Sequence, residues 1–306
     1  MAFDAPSARQ LAAYKSASGV TLAQGPLPAA RDTAASALPC AKTRLTAVPP
    51  ADALPRRLPV LPHRPAAVAD ATSPRKMPVM RRYEVLSLDA FAQVDSSRHV
   101  APALPVFEAA FSAFARGTLL ATSQGLCAIE DLLPGMEIET ADFGLRKVMW
   151  IGSMTILPDA PVEDPAQTRM TRIMADAFGI GRPMSDVMAG PGARMLHRPA
   201  ALRDVSRSGQ VFMPVADFQD GMSAIQITPP RPVTVYHLCL DRHATIKVAG
   251  LEMESFHPGP GLDRQIGPNM LTLFLSLFPH ITSLDDFGPL ARPRATRDTL
   301  DSLTAA

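Results

Sequence analysis

Phe111–Ile156 reads FSAFARGTLLATSQGLCAIEDLLPGMEIETADFGLRKVMWIGSMTI, and its pattern decides the fold. Thr118–Thr122 is apolar and β-prone, Ser123-Gln124-Gly125 is a turn, and Leu126–Ile129 resumes the strand. Leu132–Gly135 turns the chain again. Met136–Thr140 alternates with period two, and Asp142–Gly144 separates it from a longer strand pattern over Leu145–Ile156. Turn signals recur every ~8–12 residues, the spacing of an all-β domain of short strands.

Three blocks inside that stretch carry a resemblance. A-F-A-R-G-T-L-L-A-T (113–122), E-D-L-L-P-G-M-E-I (130–138) and V-M-W-I-G (148–152) resemble the opening of the Hint (Hedgehog/intein) domain. The likeness is to the bacterial stand-alone type of alphaproteobacteria, and it implies an all-β horseshoe of short twisted strands with a few short helices. In that family the segment opens with Cys, as C-F-x-x-G-T. Here Ala113 stands in the Cys position. The family reaction is attack of that thiol on the preceding peptide bond, giving a thioester that a second nucleophile resolves. The chemistry needs a thiol or hydroxyl on that residue, and alanine has neither. Ser112 lies one residue early, so its hydroxyl would attack a different bond.

The second element that the resemblance implies is a histidine, in the pattern S-P-x-H-R-v-L, that helps protonate the leaving amine. The matching stretch is Ala189–Leu196, AGPGARML, with Gly190 at the Ser/Thr position and Ala193 at the His position. His197 is four residues late, about 13 Å along an extended strand, and reads as a surface or core histidine. Two losses, nucleophile and acid, point the same way.

The third block, Thr234–Pro258, resembles the family's last strands and keeps His237, Asp241 and His243. Strand alternation puts these three on one face. They are the remaining candidate site residues, read as a polar network in which Asp241 orients a histidine. Two imidazoles and a carboxylate also suit a divalent metal, but nothing else supplies a ligand set, so no metal and no cofactor are expected. Inteins end in His-Asn. Glu254-Ser255 occupies that place, so asparagine-driven cleavage is not expected.

Outward from this core the chain changes character. Residues 1–82 hold 12 Lys+Arg and 12 prolines against 4 Asp and no Glu, while 83–306 hold 18 Lys+Arg against 25 Asp+Glu. The net charge of +1 therefore hides a basic segment joined to an acidic body. Residues 1–82 read as a disordered basic Pro/Ala-rich tail, with weak attraction to anionic surfaces or to the body. No aromatic interleaving supports base stacking, so nucleic acid is not an expected partner. Residues 83–112 read as a connector, with Tyr83–Leu88 an edge strand and Pro105–Phe114 a helix on the Phe107, Phe111, Phe114 spacing. Residues 113–258 are the Hint-like domain, and 259–306 hold a short helix near Asn269–Phe278 and a frayed tail. Asp286–Arg294, DFGPLARPR, resembles a terminal motif of the same family type, with no purpose legible in its residues.

Cys40, Cys127 and Cys239 show no metal-ligand spacing, and no apolar run nears the ~18 residues of a membrane span. No continuous apolar h-region marks a secretory signal, which fits a cytoplasmic protein. Two functions are consistent with these residues. The first is a Hint domain silent in self-cleavage that serves as a binding or scaffold module for a peptide or protein. The second is an autoprocessing domain that cleaves near Ser112/Ala113 with substitute residues.

Overall fold

The structure is a computed structural model, and it describes residues 79–158, 164–199, 202 and 209–304. The readings made for residues 1–78, and most of those for the loop at 202–209, lie outside the described residues. The chain divides between Ala69 and Asp70 into two units, and all described residues belong to the second.

The described part is all-β with antiparallel strand pairing and a few short helices. It opens with a hairpin, β1 (Met80–Leu88) and β2 (Val94–Pro102), followed by α1 (Pro105–Glu108). Short strands come next: β3 (Phe114–Ala115), β4 (Leu119–Thr122), β5 (Gly125–Ala128) and β6 (Glu137–Thr140). The long β7 (Gly144–Ile156) leads to β8 (Met170–Ile173), β9 (Val187–Ala189), β10 (Arg194–His197), β11 (Val211–Pro214) and β12 (Ala224–Ile227). The last strands are β13 (Val233–Leu240), β14 (Thr245–Val248) and β15 (Leu251–Glu254). Three helices close the chain: α2 (Leu262–Gln265), α3 (Pro268–Leu275) and α4 (Arg297–Thr304). Neighbouring strands run in the order β11-β10-β15-β14-β4-β6-β7-β13-β3-β9-β8-β12, with β1 also on β7.

The sequence blocks meet for identifiable reasons. Gly117 and Gly135 adopt φ of +85° and +95°, which the turns after Arg116 and Pro134 require. The Glu130 carboxylate accepts the Gly117 N–H at 2.7 Å, so the R-G-T and E-D-L blocks clamp one another. A Cβ on Gly152 would sit 2.2 Å from the Trp150 ring and 2.5 Å from Phe111, so this glycine lets the two rings pack edge to face against β7. Trp150 donates from Nε1 to the Leu277 carbonyl at 2.7 Å. It lies in an aromatic core with Tyr83, Phe107, Phe111, Phe256, Phe274 and Phe278. A second core, aliphatic, joins Leu120, Ile138, Val148, Ile246 and Met253 with Ala113 and Ala193.

Three elements differ from expectation. The helix at 105–114 ends at Glu108. The sheet claims residues 113–115: Ala113 N–H donates to the Tyr236 carbonyl at 2.9 Å, and Phe114 pairs with Tyr236 and Ala189. The connector 89–105 contains β2, paired along the whole of β1, so β1 lies between β2 and β7 rather than at the edge. β2 is mostly polar because its outer residues face solvent, and polar residues carry no apolar alternation to read. The chain end is the helix α4, seated by Leu300 on Leu202, Val211 and Met213. The helix expected at 269–278 is α3.

Candidate functional site

Residues 112 and 113 are held by the turn before β10. Gly192 N–H donates to the Ser112 carbonyl at 3.0 Å and lies 3.2 Å from Ser112 Oγ, while Gly190 N–H donates to the Ala113 carbonyl at 2.8 Å. The carbonyl of the Ser112–Ala113 bond is thus polarised by a half-buried backbone donor, Gly192 N–H, the kind of donor that stabilises a developing oxyanion. Around it the side chains are apolar. Ala113 and Ala193 are each 1% exposed and pack in the aliphatic core. Ser112 is fully buried.

The polar groups gather elsewhere, around Glu254 at the end of β15. This carboxylate is 3% exposed, accepts from Arg294 Nε at 2.9 and 3.2 Å, and lies 3.4 Å from Arg194 Nε. His243 Nε2 stands 3.1 Å from Glu254 Oε1. Nδ1 of His243 accepts the Ala291 N–H at 2.8 Å, which leaves the proton of a neutral imidazole on the nitrogen that faces Glu254. Burial alone would raise the Glu254 carboxyl. The His243 imidazole and the Arg294 and Arg194 guanidinium groups more than offset that and hold it below the usual range. Ser255 Oγ accepts the Ala244 N–H at 3.0 Å.

The sequence candidates divide accordingly. His243 joins the network. His237 is buried between the Phe114 and Phe256 rings, and its Nδ1 accepts its neighbour's N–H, from Leu238. Burial, with the Arg294 and Arg194 charges nearby, pushes its pKa down to about 3. Asp241 does not orient a histidine. β13 ends at Leu240 after a register shift, so alternation stops short of residue 241. Its side chain is 40% exposed and 3.7 Å from Arg146. Ser112 stays with the Gly190–Gly192 turn. His197 is half-buried against the Phe218 ring. Glu254, Arg194, His257, Asp142 and Arg294 were not singled out from sequence. The available signal was the arginine pair in the 286–294 motif. Among the described residues no group of three or more His, Cys, Asp or Glu is arranged to hold a metal, and no helix is long and apolar enough to cross a membrane.

His257 completes the network, with Nδ1 accepting from Gly259 N–H and Nε2 bonded to the Gly288 carbonyl, each at 2.9 Å. Burial lowers its pKa to about 4. Histidines whose folded pKa lies below the ordinary 6.5 bind fewer protons folded than unfolded, so stability falls as pH drops through 6.5. For values near 3 and 4 the loss is about 2 kcal/mol per histidine by pH 5. Urea denaturation at pH 8 and pH 5 is expected to show a drop of several kcal/mol on acidification. Equal stability at the two values contradicts the burial of these rings.

The family model described as "Hint domain" matches residues 112–260. Solved structures similar to this chain include a bacterial intein-like domain from Clostridium thermocellum, 14% identical, covering 48% of this chain and 99% of that one, with a TM-score of 0.33. The MchDnaB-1 intein is 15% identical over 47% of this chain and 100% of that one, with a TM-score of 0.31. A DnaB intein from Synechocystis sp. PCC 6803 is 11% identical over 47% and 99%, with a TM-score of 0.28. No curated protein matches. The matched span, residues 112–260 of an all-β chain, thus carries a Hint domain.

Proposed function

We propose that this Hint domain holds an extended peptide segment as a binding module and does not cut its own chain. The observation that supports this reading is the pair of methyl groups at Ala113 and Ala193, each 1% exposed, packed where the family resemblance puts nucleophile and acid. The peptide-holding part of the old site persists. Gly190 and Gly192 still donate to the carbonyls of residues 113 and 112. A polarised carbonyl whose neighbouring residue 113 offers a methyl group in place of an attacking atom does not react by the family route. Ser112 lacks a partner base: among the described residues the polar contact made by its hydroxyl is with a backbone N–H, which cannot take a proton.

The test is Ala113→Cys alone. Sγ is one atom added to a packed site, a strain of about 1–3 kcal/mol, so the variant is checked first for a cooperative melt. With residue 193 still alanine, the leaving amine has no acid, and the folded variant is expected to keep its mass in the presence of added thiol. Release of a fragment beginning at residue 113 overturns the binding-module reading, because it shows a site still built for cleavage.

A further inference from the structure

The segment Ala291–Ala295, ARPRA, lies along β11 like a bound peptide. Phe212 N–H donates to the Pro293 carbonyl at 2.9 Å, and Ala295 N–H donates back to the Phe212 carbonyl at 3.0 Å, in a parallel bridge. Its two arginines enter separate acidic positions. Arg292 Nη2 donates to Asp142 Oδ1 at 2.7 Å and Nε to Gln210 Oε1 at 2.8 Å. Arg294 Nε reaches both Glu254 oxygens, and its Nη2 donates to the His257 carbonyl at 2.6 Å. Ala291 N–H is taken by His243 Nδ1. The receiving carboxylates are buried, with Asp142 5% and Glu254 3% exposed, and buried carboxylates need cationic partners. Strand pairing for affinity with side-chain pockets for choice is how extended peptides are recognised at a sheet edge.

We propose that the groove formed by β11, Asp142, His243 and Glu254 recognises extended peptides of the form Arg-x-Arg, and that residues 291–295 are its ligand in cis. This rests on the binding-module reading above and gives that module its ligand class. Arginine is required at the second position. One guanidinium there makes bonds in two directions at once, to the carboxylate and to a carbonyl, which the point charge of lysine does not reproduce. Proline between the two suits the site, since its carbonyl is used and its missing N–H is not. Arg292-Pro293-Arg294 is the sole Arg-x-Arg triplet in the sequence, so the basic N-terminal segment offers no equal competitor. A cis ligand acts at an effective concentration of about millimolar or above, so an outside peptide meets an occupied groove in the unmodified chain.

The experiment uses a labelled peptide with the sequence of residues 287–297, read by fluorescence anisotropy. Full-length protein carrying Arg292→Ala and Arg294→Ala is expected to bind it at least about tenfold tighter than the unmodified chain, because the cis competitor is gone. A peptide with both arginines replaced by lysine is expected to bind at least about tenfold more weakly. A cooperatively melting double variant that binds no better than the unmodified chain overturns the proposal, as does equal binding of the lysine peptide. If the double variant does not fold, hydrogen exchange on the unmodified chain decides. Excess unlabelled peptide is expected to speed exchange at the Ala291 and Ala295 amides while Phe212 stays protected, and unchanged exchange overturns the proposal. Intact mass on the same samples separates the two readings. A cut chain sinks the binding-module reading, and an intact chain that ignores the peptide sinks the Arg-x-Arg groove alone.

Discussion

Glu254→Ala is expected to cost about 3–5 kcal/mol of stability, the range for removing one member of a buried charged group and stranding the rest. Glu254 is 3% exposed, and three cationic or ionisable side chains converge on it: Arg194, Arg294 and His243. Truncation leaves two guanidinium groups facing each other across an emptied site, and their repulsion adds to the lost contacts. It also unpins the segment that carries Arg294 from β15. The control is Glu84→Ala. Glu84 pairs with Arg98 at 3.1 Å, but the two side chains are 52% and 74% exposed. A pair that wet is worth at most about 1 kcal/mol. Urea denaturation of both variants is the measurement. Equal and small losses contradict the placing of Glu254 at the centre of the network.

Gly190→Ser restores the residue type that the family resemblance puts at this position, and it is expected to destabilise by about 3 kcal/mol or more, at or past the upper end for overpacking. A Cβ at 190 would lie 2.2 Å from the Ser112 carbonyl oxygen and 2.9 Å from its carbon. Those are backbone atoms, so no rotamer change relieves the contact. The Gly190 N–H bond to the Ala113 carbonyl and the Gly192 N–H bond to the Ser112 carbonyl fix both sides of the approach. The turn and the strand lie closed on each other at this point. A thermal midpoint unchanged in the serine variant contradicts that closure.

The strand and turn pattern of 111–156 was legible because it is local. Glycines at positive φ, period-two alternation and the Trp150–Gly152 spacing all state their geometry within a few residues. The retained His243 was also legible, as one of the few polar groups kept in an apolar strand block. Its partner was not. Asp241 is two residues away in sequence, yet a register shift after Cys239 ends the strand and turns Asp241 outward to Arg146. Glu254 stands beside His243 from another strand, and one of the two Glu residues in E-M-E-S does not announce a contact made through tertiary pairing. The hairpin strand β2 was missed for the opposite reason: its register is written in β1, while its own residues are polar. The 286–294 motif shows both limits. Its arginines were visible, but their acceptors lie 150 residues away at Asp142 and 40 away at Glu254.

The central claim is that the Ser112–Ala113 bond survives because Ala113 and Ala193 supply neither a nucleophile nor an acid to a carbonyl that is still well held. Intact-mass spectrometry of the unmodified full-length protein tests it most directly, on material held at neutral pH for days with and without added thiol. The account predicts a single species at the full-length 32.7 kDa under both conditions. Fragments beginning at residue 112 or 113 would contradict it.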